Sequence, residues 1–362
     1  MFTEQVPIVE DGSLNGYVLH QSICAQPVPT QYRVVMSAAG IGHPKHGGDV
    51  GPGMAGQDVY GHTARSIFVA DGHGADGLDA ALKTSGVVNA IEDVISTRDL
   101  LLNPERTAEK IRSEVVRHMH DCVFETAGST FTQMTLVESN ARRWAVTVNV
   151  GDSEALLVYK HKVVVCSVPH VWDSRAMYQR YLNHSARHKP VCYNRWNASQ
   201  YSMRDPEGGH RPIMMYSVDK HNRAVVRPGN ATWMSELWQR RNRPALRYGT
   251  QSVRMPAEPH ENWGSAVMVG GRARGQVMAT FGDTHERRQT GVPLNMIHVY
   301  VHEIPFREDV IAIAQSDGVS NARTLEDCAY KAWRSKSAAD YLSGIAAPKD
   351  DMSAAIAYLT KG

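Results

Sequence analysis

Two apolar runs in this sequence stop in the same way. Ser66-Ile67-Phe68-Val69-Ala70 runs into Asp71-Gly72-His73-Gly74, and Val310-Ile311-Ala312-Ile313-Ala314-Gln315-Ser316 runs into Asp317-Gly318. A short apolar, β-branched run reads as a buried strand, so each Asp is a carboxylate held on a rigid element. Asp-Gly is also one of the commonest turn pairs, which gives either end a plain explanation as a hairpin. Two more strands end in acids, however. Val148-Asn149-Val150-Gly151 leads into Asp152, and Lys349-Asp350-Asp351-Met352-Ser353 precedes the strand-like Ala354 to Leu359. Carboxylates brought together repel one another unless a cation neutralises them, and magnesium and manganese prefer oxygen ligands. A fold that gathers these four strand ends builds a site for a hard cation.

The remaining pattern says how they could be gathered. Ala75 to Ile95 carries apolar residues near helical spacing, at Leu78, Leu82, Val87, Ile91 and Val94. Asn103-Pro104-Glu105 opens a second helix with Ile111, Val115, Val116, Met119 and Val123. Strand-like runs follow at Thr130 to Val137, Trp144 to Val150, Ala155 to Tyr159 and Val163 to Val168. Val277 to Phe281, Ile297 to Ile304 and Val310 to Ala314 also read as strands, Asn321 to Tyr341 as a helix, and Ser353 to Leu359 as a last strand. Short strands joined by brief turns pair antiparallel, and the alternation of strand and helix blocks predicts packed sheets with helices outside. Residues 1–30 show no clear pattern and read as an added strand or an ordered arm.

Within a formal net charge of +2, the stretch from Asn183 to Met255 holds eleven Arg and two Lys against four acids, so it is +9 and the remainder is −7. It is rich in His, Tyr, Trp, Asn and Pro, with turn signals and little periodicity, and reads as a loop-rich basic insert in an acidic body. The five cysteines are scattered, with no Cys-x-x-Cys pair, which points to a reducing compartment and to neither a disulfide framework nor a zinc site. None of the 17 histidines falls into a His-Glu-x-x-His or Cys/His pattern. The glycines from Gly40 to Gly56 lack the Lys-Ser/Thr of a phosphate-cradling loop. No leader-like start and no apolar run long enough to span a bilayer are seen, so the expected location is intracellular and soluble, in cytoplasm or nucleus, with no membrane partner.

The ordered segments Gly56-Gln57-Asp58, Val69-Ala70-Asp71-Gly72-His73-Gly74, Gly128-Ser129-Thr130, Val150-Gly151-Asp152-Ser153, Thr280-Phe281-Gly282-Asp283, Ser316-Asp317-Gly318-Val319 and Asp350-Asp351-Met352-Ser353 resemble the successive motifs of the metal-dependent serine/threonine protein phosphatases of type 2C, the PPM family. The resemblance implies an α+β fold, a four-layer α/β/β/α sandwich with two central antiparallel sheets, formed by residues 1–362 as a single domain with an enlarged basic flap over residues 169–275. It implies two magnesium or manganese ions, with a third, weaker ion as an option. Asp71 would bridge the two ions, the carbonyl of Gly72 would ligate one, and Asp317 and Asp350 the other. Asp152 and Asp317 match the positions associated with the weaker ion. Asp58 would orient a metal-bound water, which attacks phosphorus, and His73 would protonate the leaving alkoxide.

This sequence departs from the family pattern at three places. Gln57 stands where members carry Glu or Gln, and its amide oxygen is a weaker, neutral ligand for the second ion. The run Gly47 to Gly56 has no Arg or Lys where a phosphate-holding cation is expected, the nearest being Lys45 and Arg65. Asp351 stands where many members have Asn and is a fallback ligand behind Asp350. The basic insert, 183–255, lies at the flap position, where Arg240-Arg241-Asn242-Arg243 could hold an acidic or phosphorylated protein, or nucleic acid with Trp233, Trp238 and Tyr248 as stacking surfaces. A solvated basic surface is the plain alternative. Two functions follow from the sequence: a phosphoserine/phosphothreonine phosphatase, or a pseudophosphatase that binds protein or nucleic acid through its insert. Oligomeric state is not encoded in any pattern found.

Overall fold

The computed structural model describes residues 32–43, 46, 52–139, 142–160, 162–170, 175–184, 191–194, 203–204, 210–211, 216–221, 223–226, 265–269, 272–273, 277, 279–290, 292–305, 308–345 and 350–361. Two antiparallel sheets dominate them. One has five strands in the order Tyr32–Ile41, Met352–Lys361, Val310–Gln315, Glu154–Val158, Val163–Val165. The other has eight, running Phe281–Gly282, Gly128–Ser129, Ser66–His73, Phe131–Ser139, Arg142–Val150, His298–Ile304, with Asp58–His62 and Met54–Ala55 added beside Ser66–His73.

The side-chain alternation of these strands builds the layers. In Ser66–His73, Ile67 and Val69 point between the sheets, where they meet Met134, Leu157, Ala312 and Ala355. Ala70 on the opposite face joins Val87, Ile91, Ile111, Val115 and Met119 of the helices covering the eight-stranded sheet. Ile311, Ile313, Ala354 and Ile356 face outward from the five-stranded sheet against Leu325, Cys328, Tyr341 and Leu342. The result is the four-layer α/β/β/α sandwich expected from the sequence. Strands buried on both faces explain why Arg142–Val150 hides Thr147 and Asn149 as well as its valines. The Asn149 side-chain NH2 donates to Thr132 Oγ1 and to the Ser153 carbonyl, both at 3.0 Å.

Helix boundaries are finer than the periodicity predicted. The expected helix from Ala75 to Ile95 is two, Gly77–Ser85 and Val87–Val94, divided at Gly86, a poor helix former. A short helix Thr97–Leu102 then precedes Pro104–Asp121, which starts with Asn103 as cap and Pro104 in its first turn, as anticipated. Val123, assigned to that helix, lies beyond its end and is 65% exposed. The long C-terminal helix resolves into Asp317–Ala322, Leu325–Arg334 and Ala338–Leu342. Thr324 and Ser337 interrupt it, because each turns its hydroxyl onto a backbone N–H of the following helix and takes extended backbone itself. Of the expected strand Val277 to Phe281, only Phe281–Gly282 forms a described strand.

Most of the basic insert lies outside the described residues, among it Arg240-Arg241-Asn242-Arg243, Trp233, Trp238 and Tyr248, as does the arm of residues 1–30. No helix among the described residues is long and apolar enough to cross a membrane.

Along His298–Ile304, the alternate residues His298, Tyr300 and His302 stack, with ring centroids 6.0 and 6.3 Å apart. Burial, with Arg180 and Arg112 nearby, pushes His298 down to about 4. Its unfolded value is near 6.5, so the folded chain binds fewer protons there, and stability is lost as pH falls from 6.5 toward 4. Chemical denaturation of His298→Gln across that range should show an acid loss smaller than that of the natural chain by on the order of 2 kcal/mol. Parallel pH profiles would show that the imidazole is not a buried neutral group.

Candidate metal centre

The strand pairings bring the sequence-predicted acids to one end of the sandwich. Asp58 is the register partner of Asp71. Val150 ends its strand in the eight-stranded sheet, and Gly151-Asp152-Ser153 carries the chain over to Glu154 in the five-stranded one. There Gln315 pairs with both Glu154 and Ala354, which sets Asp317 and Asp350 beyond the same edge.

Asp58 is fully buried. Its Oδ2 accepts a 2.7 Å hydrogen bond from Ser353 Oγ across the gap between sheets, while Oδ1 has no partner among the described residues. Burial raises its carboxyl to about 7, with Asp351 and Asp350 adding repulsion and the Ser353 and Ser316 hydroxyls pulling the other way. Asp71 is half-buried and anchored by its backbone, its N–H donating to Thr130 Oγ1 at 3.2 Å and its carbonyl accepting from Thr130 N at 2.8 Å. Burial, then the fields of Asp58, Asp317, Asp350 and Asp152, hold it well above the usual carboxylate range. Asp317 is raised in the same way by burial and by Asp152 and Asp350, and a hydrogen bond to Asp71 lowers it in part. The Asp71 and Asp317 carboxyls therefore touch, which two bare anions would resist. Asn321 Nδ2 donates to Asp317 Oδ2 at 3.0 Å.

The other expected residues surround this group. The Gly72 N–H donates to the Gln57 carbonyl at 3.2 Å, and a Cβ at Gly72 would sit 2.6 Å from that carbonyl and closer still to that of Gly77. Gln57 turns its side-chain amide to the Gly74 carbonyl at 2.7 Å. Asp350 accepts from the Asp351 N–H at 3.0 Å. Asp351, only 4% exposed, accepts from His43 N at 2.6 Å and Gln57 N at 2.9 Å, and its Oδ2 lies 2.7 Å from His46 Nδ1. Ligand atoms of His46, Asp350 and Asp351 all fall within 4.8 Å of one another. The two cations nearest the first motif in sequence do not enter this description. Lys45 lies outside the described residues, and Arg65 bonds Glu92 through Nε at 3.3 Å and Nη2 at 2.7 Å at the far end of its strand, roughly 20 Å of extended chain from Asp71.

Oxygen donors converging from several elements, an unpartnered buried carboxylate oxygen and carboxyls that suppress one another's ionisation are the chemistry of a divalent hard-cation site. Asp58, Asp71, Asp152, Asp317 and Asp350 fit such a group.

His73 makes a contact that motif reading did not supply. Its Nε2 lies 2.6 Å from Asp283 Oδ2, and Thr280 Oγ1 donates to the same oxygen at 2.7 Å. Burial alone would raise Asp283, but the bonds from His73 and Thr280 outweigh it and leave the carboxyl below its usual range. The antiparallel pairing of Phe281–Gly282 with Gly128–Ser129, and of Gly128 with His73, brings them together. Ser353 and His46 were likewise missed. A lone Ser or His carries no sequence signal, and only the sheet register reveals them.

Neither a family model nor a curated protein matches the sequence. Among solved structures, the serine-threonine phosphatase 2C of Toxoplasma gondii superposes with a TM-score of 0.51 at 11% identity, over 92% of this chain and 98% of that one. A C. elegans sex-determining protein gives 0.50 at 13% identity, over 90% of this chain and 64% of that one. This is the type 2C phosphatase fold.

Mutual repulsion among the acids gives a test without any assay of turnover. In chelator at neutral pH, Asp317→Asn should melt above the natural chain, by about 1–2 °C for each kcal/mol of repulsion removed. The same variant should lose most of the upward shift that manganese gives the natural chain. An apo variant that melts lower, with its manganese response intact, would count against a shared cation site.

Proposed function

We propose that the chain is a metal-dependent protein phosphatase that hydrolyses phosphoserine and phosphothreonine. The observation that carries this reading is the convergence of Asp58, Asp71, Asp152, Asp317 and Asp350 on one end of a type 2C sandwich, with Asp58, Asp71 and Asp317 held from ionising by burial and by the neighbouring acids. Asp71 would bridge two magnesium or manganese ions, Gly72 through its carbonyl and Gln57 would serve one, and Asp317 and Asp350 the other, with Asp351 as fallback. Asp152 and Asp317 would take a third, weaker ion. When bound, such a pair would acidify water and draw charge from phosphoryl oxygens.

The chain's own groups do the rest. Asp58, fixed by Ser353 and with Oδ1 open to a donor, orients the attacking water. His73 gives a proton to the ester oxygen as the bond to phosphorus breaks, which matters because serine and threonine alkoxides leave poorly. The substrate is a phosphorylated protein, with the basic insert 183–255 as the surface for an acidic protein or nucleic-acid partner. The free, buried thiols of Cys122, Cys166 and Cys328 agree with a soluble intracellular enzyme of cytoplasm or nucleus.

A specific observation favours a second reading, a weak or inactive pseudophosphatase acting as a binding module. Gln57 bonds the Gly74 carbonyl through its amide, and Arg65 is engaged with Glu92 at the other end of the sheet. Hydrolysis of a phosphothreonine peptide separates the two. Manganese should support turnover, chelator should abolish it, and Asp71→Asn or Asp317→Asn should each lower kcat/KM at least about 100-fold. No turnover with manganese would leave the binding module. Removal of 183–255 should depress turnover of a phosphoprotein more than that of a small aryl phosphate; equal losses would argue that the insert is structural.

A further inference from the structure

We propose that Asp283 is the positioning residue for His73, and that the pair sets a preference of this site for phosphate esters with poor leaving groups. The proposal rests on the hydrolase reading above. It starts from the 2.6 Å contact between His73 Nε2 and Asp283 Oδ2, to which Thr280 Oγ1 adds a second bond at 2.7 Å. An ionised carboxylate on Nε2 holds a proton on that nitrogen and fixes the ring plane. In the transfer step, oxygen from water bonds to phosphorus and the phosphorus–ester bond breaks, its electron pair going to the ester oxygen. The proton from His73 completes the alcohol, and the proton that the water loses returns to His73 through solvent.

The backbone around the pair is built for it. Asp283 has φ +45°, a left-handed conformation that few residues other than Gly, Asn and Asp adopt readily. An Asp preceding a helix, as this one precedes Thr284–Thr290, ordinarily caps it from extended backbone. Here the carboxylate goes instead to His73 and Thr280. Across the pairing, Gly128 leaves the room: a Cβ there would lie 2.8 Å from His73 Nε2 and nearer still to Asp283 Oδ2. A residue in left-handed backbone, a position without a side chain and two hydrogen bonds thus meet on one imidazole. Asp283 is joined to that imidazole and not to the acids at the sheet ends, so its role is to hold the proton donor.

Asp283→Asn is the informative substitution, because Asn tolerates the same backbone and removes the charge. With manganese, it should lower kcat/KM on a phosphothreonine peptide about 100-fold and on nitrophenyl phosphate, whose leaving group needs no acid, by less than about 3-fold. His73→Asn should show the same split, and the double variant should fall no further than His73→Asn alone. In metal-free protein labelled with nitrogen-15 histidine, the His73 Nε2 proton should resonate far downfield in the natural chain and lose that shift in Asp283→Asn. Equal losses on both esters, additive losses in the double variant, or an unprotonated Nε2 in the natural chain would each overturn the pairing. A natural chain inactive on both esters would overturn the hydrolase reading, and the ester preference with it, while the nitrogen spectrum would still report whether the pair exists.

Discussion

A buried hydrogen bond joins the two sheets at the end where the acids gather. Ser353 Oγ donates to Asp58 Oδ2 from the neighbouring sheet, and Ser353 also exchanges bonds with Ser316, its N–H to Ser316 Oγ and its carbonyl to Ser316 N–H, each at 3.0 Å. Three strands are thereby held in one register. In a strand, a slip by one residue turns every side chain to the opposite face. Slipping Met352–Lys361 against Val310–Gln315 would take Ser353 away from Asp58 and exchange Ala355 and Ala357, which fill the space between sheets, for Ala354 and Ile356, which face the helices. The core therefore fixes the spacing of the acids, and the acids have no freedom to relax apart.

That rigidity explains why the carboxyls are so poorly ionised. Flexible acids would swing toward solvent, where their repulsion is screened; these are fastened by backbone hydrogen bonds from Thr130, by Ser353 and by the packed strands beneath them. Asp351, in the same cluster, is pinned as firmly: it accepts two backbone N–H groups and contacts the His46 ring.

Much of this was legible in the order of residues. Two runs of β-branched and small apolar side chains ending in Asp-Gly announce strand ends, and two further strand ends carrying acids point to a common site. The strands from Thr130 onward were largely read in place, but Tyr32–Ile41 and Asp58–His62, with their Gly, Ala, Tyr and His residues, were not read as strands. What else escaped was of two kinds. Helix interruptions at Thr324 and Ser337 arise from hydroxyls that compete locally with the helical ladder, which apolar spacing does not record. The partnership of Asp283 with His73, 210 positions apart, depends on two two-residue strand pairings that meet at Gly128–Ser129, and pairings so short leave almost no periodic trace. Asp283 stood in plain view within a recognisable segment, but its role became visible only with its neighbour across the sheet.

The strand that completes the five-stranded sheet is made long after the residue it binds across the sheets. Met352–Lys361 lies between Tyr32–Ile41 and Val310–Gln315, and Ser353 is 295 positions from the Asp58 it binds. At translation speeds of about 5–20 residues per second, Asp58 precedes its partner by on the order of 15 to 60 s. Throughout that interval the nascent chain lacks the centre of one sheet and the segment carrying Asp350. A product cut before Met352 leaves Asp58 without Ser353 and Val310–Gln315 without its neighbour in the sheet, so the acids at this end come together only once Met352–Lys361 has been made and has joined it.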